Sequence, residues 1–352
     1  MQFSDAVKTV TRETIVPTVF DTVTKGSPLL LHLLQNAKPW KSGFRYDFPI
    51  KYQKSTQGGV VGIADRLSTE RDNTRVKAQF EPKMITKPVV IADIEETLNQ
   101  GEEQVLDLFT TEFDSLAQDL IIDLSAELYT GTGSGDRWDS LAEAADDSTN
   151  YTTYGGLSRS TYTSLRGYYL ASAGAITLAK FATAMDAVSI GTDSPGLIVT
   201  TKSIWSTYES LQTPTVRAGY AQSGFPQMTA FGMVPSTNAL KGQQGFDALW
   251  YRGAAVVKDE QSPSGNVFFV NKNHFFFAGI NIKKKGYSQL NFKKSNDGVP
   301  AGVVGRVPST RGFNFREMMS PVDQLAEVGH LIYAGNFIST NPRLLGRMIG
   351  AS

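Results

Sequence analysis

Between Phe44 and Tyr52 every second residue is aromatic or aliphatic: Phe44, Tyr46, Phe48, Ile50 and Tyr52. That alternation marks a strand with one apolar face. A polar tip follows at Ser55, Thr56, Gln57, Gly58 and Gly59. The chain then returns from Arg75 to Ile91 with Val76, Ala78 and Phe80, then Met84, Thr86, Val89 and Ile91. Two long strands around such a tip predict an extended hairpin arm. Its apolar content is modest, and an isolated two-stranded hairpin is marginal in water. The arm therefore needs another surface to lie on, and a neighbouring subunit is a candidate.

The rest of the chain reads as mixed helix and strand. Val10, Ile15, Val16, Val19, Phe20 and Val23 have roughly helical spacing, but Pro17 interrupts them. Two short helices are expected there, the second ending near Asn36. The clearest helix runs from Glu102 to Tyr129, with Val105, Leu108 or Phe109, Phe113, Leu116, Leu120, Leu124 and Leu128 at spacings of three and four. It should stop at Gly131-Thr132-Gly133-Ser134-Gly135. Further helices are expected at Ser160–Leu170, Thr177–Ile190 and Thr201–Leu211. A β-rich region begins near Leu249, and Val328–Ser339 reads as a last apolar strand run. The outline is α+β with an inserted arm.

Composition excludes several chemistries. There is no cysteine, so no disulfide, thiolate metal site or cysteine nucleophile is possible. The three histidines, His32, His274 and His330, are far apart, which disfavours a histidine-built metal site. The apolar run Leu29–Leu34 is short, whereas a membrane span needs about 20 residues. Net charge is zero, which argues against a general basic nucleic-acid binder.

The distribution of charge says more than its sum. Between Asp93 and Asn150 there are sixteen acids and one base, Arg137; between Lys38 and Lys87 there are eleven bases and five acids. Between Lys272 and Arg316 nine bases face one acid, Asp297. Segregation of this kind suits complementary surfaces for self-association, although solvated faces of one domain give the same pattern.

Motifs that suggest catalysis fail on context. Gly131–Gly135 follows a helix and leads into Asp136 and Arg137, whereas a phosphate loop follows a strand and opens a helix. Asp93, Glu95 and Glu96 read as a charged strand exit entering a helix. Gly133-Ser134-Gly135 lacks the flanks of a serine nucleophile. Lys283, Lys284, Lys285, Lys293 and Lys294, interleaved with Tyr287 and Phe292, could hold nucleic acid or a neighbouring subunit, or could simply guard a strand edge. No catalytic residue, cofactor or metal site is expected.

Four stretches in order resemble one known family. They are Leu128–Gly135 after the acidic helix, Tyr154-Gly155-Gly156-Leu157-Ser158-Arg159-Ser160-Thr161, Pro195–Thr200 followed by Tyr208-Glu209, and Tyr251–Asp259 followed by Pro263–Asn271. Together they are similar to the tailed-bacteriophage major capsid proteins with the Hong Kong 97-type (HK97) fold, across roughly residues 128 to 275. Leu157 and Ser158 replace the usual Ile-Asp of that family, and Lys258 precedes Asp259.

The resemblance implies an HK97-like α+β fold in five parts. These are an N-terminal arm (1–37), an extended hairpin loop (38–92), a peripheral domain with its spine helix at 102–129 (93–190), an axial domain (191–321) and a C-terminal strand returning to the body (322–352). It also implies self-assembly into hexamers and pentamers of an icosahedral head around packaged double-stranded DNA, held by non-specific contact. Portal, scaffold and decoration proteins would be further partners, the host cytoplasm the place of assembly and the virion the final location. The arm's Lys51, Lys54, Arg71 and Arg75 are the expected contacts to acidic surface of an adjacent subunit. The rival readings are an encapsulin-like compartment shell and another virion structural protein.

Overall fold

The computed structural model describes residues 27–40, 43–63, 66–98, 108–211, 248–282, 287–288, 312–321 and 325–351. The expected helix around Val10–Val23 and the basic stretch Lys283–Lys285 with Lys293 and Lys294 lie outside these residues, as does the Glu102–Asp107 start of the long helix.

In chain order the first elements are α1 (Pro28–Gln35), β1 (Lys38–Pro39), β2 (Tyr46–Lys51), β3 (Arg75–Phe80), β4 (Lys83–Ala92), α2 (Asp93–Leu98) and α3 (Leu108–Thr130). Then come α4 (Leu141–Ala144), β5 (Thr153–Tyr154), β6 (Leu157–Ser158), β7 (Tyr168–Leu170), α5 (Leu178–Val188), β8 (Leu197–Thr200) and α6 (Lys202–Leu211). The last are β9 (Ala248–Tyr251), β10 (Ala254–Lys258), β11 (Val267–Val270), β12 (Phe275–Gly279), β13 (Tyr287–Ser288), β14 (Phe313–Met319), β15 (Ala326–Ser339) and β16 (Gly346–Met348).

Two six-stranded sheets organise these elements. The first has the order β1-β12-β15-β14-β13, with β4 paired along β15 from Ala92↔Ala326 to Lys83↔Gly335. The second has the order β7-β16-β11-β8-β10-β9. Helix α3 lies against β4 and β15, and its 23 residues span about 34 Å. It buries Phe113, Leu120, Leu124 and Leu128, and the Phe113 ring meets Phe315 of β14 edge-on at 5.5 Å. Trp138, Phe277 and Phe337 fill the centre, with centroids 5.4–6.1 Å apart.

The second sheet is buried on both faces, so its strands are continuous apolar runs rather than alternating ones. One face, with Val199, Val257 and Phe268, joins the core under α3. The other, with Ile198, Val256 and Phe269, receives α5 and α6. There Phe181 stacks on Tyr208 at 5.2 Å.

Helix α3 ends where the glycine-rich segment predicts. The Gly131 N–H donates to the Glu127 carbonyl at 2.9 Å, and a side chain at Gly131 would collide with the Trp138 carbonyl. Only glycine fits that crossing.

Three expectations are corrected. The return of the arm, read as continuous from Arg75 to Ile91, is two strands broken at Glu81–Pro82. Proline has no N–H to donate and restricts the residue before it. Beyond the break, β4 leaves the arm and joins the body. Ser160–Leu170 is not a helix but a 3-10 turn at Thr163–Leu165 followed by β7. Gly167 weakens helix there, and Tyr168–Leu170 pairs in parallel with β16. Sheet pairing also crosses the boundaries placed at 190/191 and 321/322. Strand β7 joins the second sheet, while β12, β13 and β14 join the first with β4 and β15. Long-range strand pairing of this kind leaves no local trace at such boundaries.

Candidate assembly surface

The arm is a two-stranded ribbon with register Tyr46↔Phe80 through Lys51↔Arg75. Its apolar face is stitched to the body by rings: Phe48 stacks on Phe80 at 5.8 Å, Phe80 meets Tyr154 at 5.2 Å, and Tyr46 meets Trp40 at 5.3 Å. The Gln79 N–H donates to the Gly155 carbonyl at 3.0 Å, so the ribbon continues onto the β5–β6 hairpin. The base of the arm is thus fixed.

Beyond Lys51 the Tyr52 ring meets Tyr162 of the body edge-on at 5.0 Å. The neck of the tip is closed by Asp72. Its Oδ2 accepts from the Thr56 N–H at 2.6 Å, the Thr56 hydroxyl at 2.9 Å, and the Ser55 hydroxyl and Gln57 N–H at 3.1 Å each. These bonds favour the carboxylate, led by the Thr56 N–H, and hold Asp72 down at about 2. Past this neck Val60, Ile63 and Leu67 stand exposed to solvent.

Lys51, Lys54, Arg71 and Arg75 are all exposed on the arm. Among the described residues none of the four makes an ion pair. Lys51 and Arg75 are directly opposite across the ribbon. Like charges so placed destabilise a strand pair. The ribbon keeps this repulsion although its outer face elsewhere is matched, with Lys77 on Asp47 and Arg45 on Glu81 at 2.9 Å.

The acidic segment is less of a surface than its count suggests. Asp139, Glu143 and Asp146 are buried. Asp123 is matched by Lys87 at 2.7 Å and Glu127 by Arg137 at 2.8 Å. Exposed acid remains at Glu112, Asp136, Asp93 and Glu95. Asp93 and Glu95 sit in α2 at the strand exit, as the sequence reading placed them.

The buried acids form tie points that the motif reading missed. Asn336 of β15 donates from Nδ2 to Asp139 and, at 2.8 Å, to the Glu81 carbonyl at the break in the arm. Glu143 stands one turn from Asp139 at the start of α4, capped by the Ser140 hydroxyl. A side chain on Gly133, which has φ 64°, would crowd both carboxyls. Desolvation, then the neighbouring Asp139, raises Glu143 to about 9, and desolvation raises Asp139 to about 6. Arg159 is fully buried and donates to the carbonyls of Asp146 at 2.7 Å and Glu143 at 2.6 Å. Asp259 accepts from the Tyr129 hydroxyl at 2.6 Å and from Ser27, joining α1, the end of α3 and the exit of β10. The available signal was an i, i+4 carboxyl pair inside an apolar run, Trp138 to Ala145.

Among the described residues no group of three or more His, Cys, Asp or Glu could hold a metal ion. No helix among them is long and apolar enough to cross a membrane.

No family model matches the sequence, and no curated protein matches it. Solved structures do match. The capsid asymmetric unit of cyanophage A-1(L) superposes with a TM-score of 0.68 at 14% identity, covering 99% of each chain. The capsid of the native GTA particle gives 0.61 at 10% identity, covering 99% of this chain and 98% of that one. The SrpI encapsulin of Synechococcus elongatus PCC 7942 gives 0.53 at 10% identity, covering 100% and 96%. The chain therefore has the α+β Hong Kong 97-type fold that its ordered motifs implied.

Proposed function

We propose that this chain is a major capsid protein of a tailed double-stranded DNA phage, forming the hexamers and pentamers of an icosahedral head without a catalytic step of its own. The observation that carries this reading is the arm. It is fixed at its base, ends in exposed apolar side chains, and holds Lys51 opposite Arg75 with no ion pair to either among the described residues. Such a feature is stabilised only when a second molecule supplies the apolar and acidic surface. Full-length likeness to a cyanophage capsid subunit supports the same reading. The first sheet with α3 would be the peripheral body. The second sheet with α5 and α6 would be the axial body around the five- and six-fold axes. Packaged DNA would be held non-specifically, and portal, scaffold and decoration proteins would complete the virion, assembled in the host cytoplasm.

Negative-stain microscopy of the expressed protein tests this. Icosahedral particles or hexamer sheets are expected, and a stable monomer at all concentrations would reject the proposal. The likeness to an encapsulin gives a second reading, a shell around protein cargo. Nuclease-protected DNA inside particles from infected cells supports the phage head; cargo protein in its place supports the compartment.

A further inference from the structure

Both supports of the arm root border the buried carboxyl pair Asp139 and Glu143. The first support is Asn336 of β15, itself fully buried. Its Nδ2 donates to the Glu81 carbonyl at 2.8 Å and to Asp139, and the Asp139 N–H donates to Asn336 Oδ1 at 3.2 Å. Glu81 stands at the break between β3 and β4. Just past that break Lys83 donates to the Gly135 carbonyl, in the loop that leads to Asp139. The second support is Tyr154. Its ring meets Phe80 of β3 at 5.2 Å, its hydroxyl accepts the Ser339 N–H at 2.8 Å, and it lies within the field of Asp139 and Glu143.

The two carboxyls converge on one small space. A Cβ on Gly133 would stand 2.6 Å from Glu143 Oε2 and 2.7 Å from Asp139 Oδ1. Glu143 is 6% exposed, and its Oε2 has no hydrogen-bond partner among the described residues. An unsatisfied buried oxygen is costly. A proton held between the two carboxyls satisfies it. Without that proton two negative charges share a dry site.

The surroundings do not balance two charges. Lys83 acts on Asp139 from β4, and Arg159 acts on Glu143 from beyond β6. Arg159 is already matched to the buried Asp146 at 3.6 Å. Tyr151 and Tyr154 are phenols that burial keeps protonated, and β15 contributes the neutral Asn336.

We propose that Asp139 and Glu143 form a proton-operated latch on the arm root: with a proton between them they hold Asn336 and close the joint at Glu81–Pro82, and with both ionised they push apart and let the arm pivot there. The joint is the two-state element, and the proton is the ligand that biases it. The sign follows from burial. The closed site holds Asp139 at about 6 and Glu143 at about 9, whereas water entering an open site returns both to the ordinary carboxyl range. Closure is therefore fully favoured at low pH and is lost as pH rises towards about 9. Over that interval the open fraction should grow about tenfold per pH unit for each proton released.

The absence of cysteine makes a direct test possible. Lys51→Cys on the arm and Ser206→Cys on α6, both at exposed positions, are spin-labelled in the unassembled full-length chain. The distance between the labels is then measured at about pH 6.5 and about pH 9, with circular dichroism recorded in parallel. One distance is expected at the lower pH, and a second should appear at the higher pH with the dichroism unchanged. Adding Glu143→Gln should leave a single distance at both. If that variant does not fold, Asp139→Asn replaces it, because it too prevents the double charge. A single distance at both pH values in the unaltered background overturns the latch. So does a second distance that persists in the variant, since another group would then drive it. Loss of dichroism together with the second distance overturns it as well, because the whole subunit would be unfolding. The latch is independent of the shell reading, since every measurement is made on the free subunit.

Discussion

Asp139 and Glu143 share a dry site that accommodates one charge far better than two. Burial, then the charge of Asp139, holds Glu143 near 9, and burial holds Asp139 near 6 against the opposing pull of Asn336 and Lys83, while Arg159 and the Tyr154 ring complete the surroundings. Both values lie above those of an unfolded carboxyl, so the folded chain binds more protons than the unfolded one across the interval between. Stability therefore falls as pH rises from about 4 towards about 9. Glu143→Gln keeps a neutral group there and removes the ionisation. Its melting temperature should fall less between pH 6 and pH 9 than that of the unaltered protein, with a gain on the order of 1–2 kcal/mol at pH 9. Equal slopes would show that the pair does not control the dependence. Arg159→Met should be destabilising by about 3 kcal/mol or more, because Asp146 would be left buried without its cation. Denaturant unfolding of the subunit measures this. Neither pair was legible from charge counting, which treats every acid as surface. Among the described residues, burial turns Asp139, Glu143 and Asp146 into internal struts.

The arm shows where element-level reading succeeds and where it stops. Alternation in Tyr46–Lys51 and in Arg75–Phe80 is a local property, and the sequence displays it directly. The departure of β4 to the body is not local. It depends on a register with β15 some 240 residues away, and only Pro82 hinted at a break. Likewise Tyr168–Leu170 is a strand because β16 offers it an edge, which nothing within Ser160–Leu170 announces. The cross-strand pair Lys51↔Arg75 yields a test with opposite effects on subunit and shell. Lys51→Glu converts repulsion to attraction within the ribbon and should stabilise the isolated arm by about 0.2–1 kcal/mol. The same change removes a cation from the face offered to the neighbour. Particle assembly should weaken, most at low salt, where exposed charges are least screened. Light scattering across ionic strength, with hydrogen exchange on the arm of the unassembled subunit, measures both arms of this expectation. Assembly that is indifferent to the change at every salt concentration would remove Lys51 from the interface.

At the scale of the molecule, the C-terminal run is what joins the two sheets. Strand β15 lies between β4 on one edge and β12 and β14 on the other, and β16 then crosses to sit between β7 and β11 in the second sheet. Val328–Ser339 was readable as an apolar strand, but its length and apolarity say nothing of its neighbours. The consequences of the crossing are large. Leu344, Leu345 and Met348 are fully buried, and each such side chain contributes about 1.5–3 kcal/mol. Among the described strands, β7 has β16 as its sole ladder partner. Ending the chain after Thr340 should therefore detach β7 and open the seat of α5, where Val188 and Phe181 pack. The loss is several kcal/mol in a domain whose whole stability is on the order of 5–15 kcal/mol. The first sheet keeps all of its strands in that variant, so the damage should be regional. Limited proteolysis should cut within residues 163–190 while α3 and β15 remain protected, and no particles should form. Ending the chain after Ile349 instead removes, among the described residues, the hydrogen bonds to Gly174 and Gly265 and the small side chain of Ala351 from the core that seats α5, and should leave both sheets and particle assembly in place. Intact particles from the shorter chain would mean that the second sheet closes without β16, and that the two sheets are joined by their shared core alone.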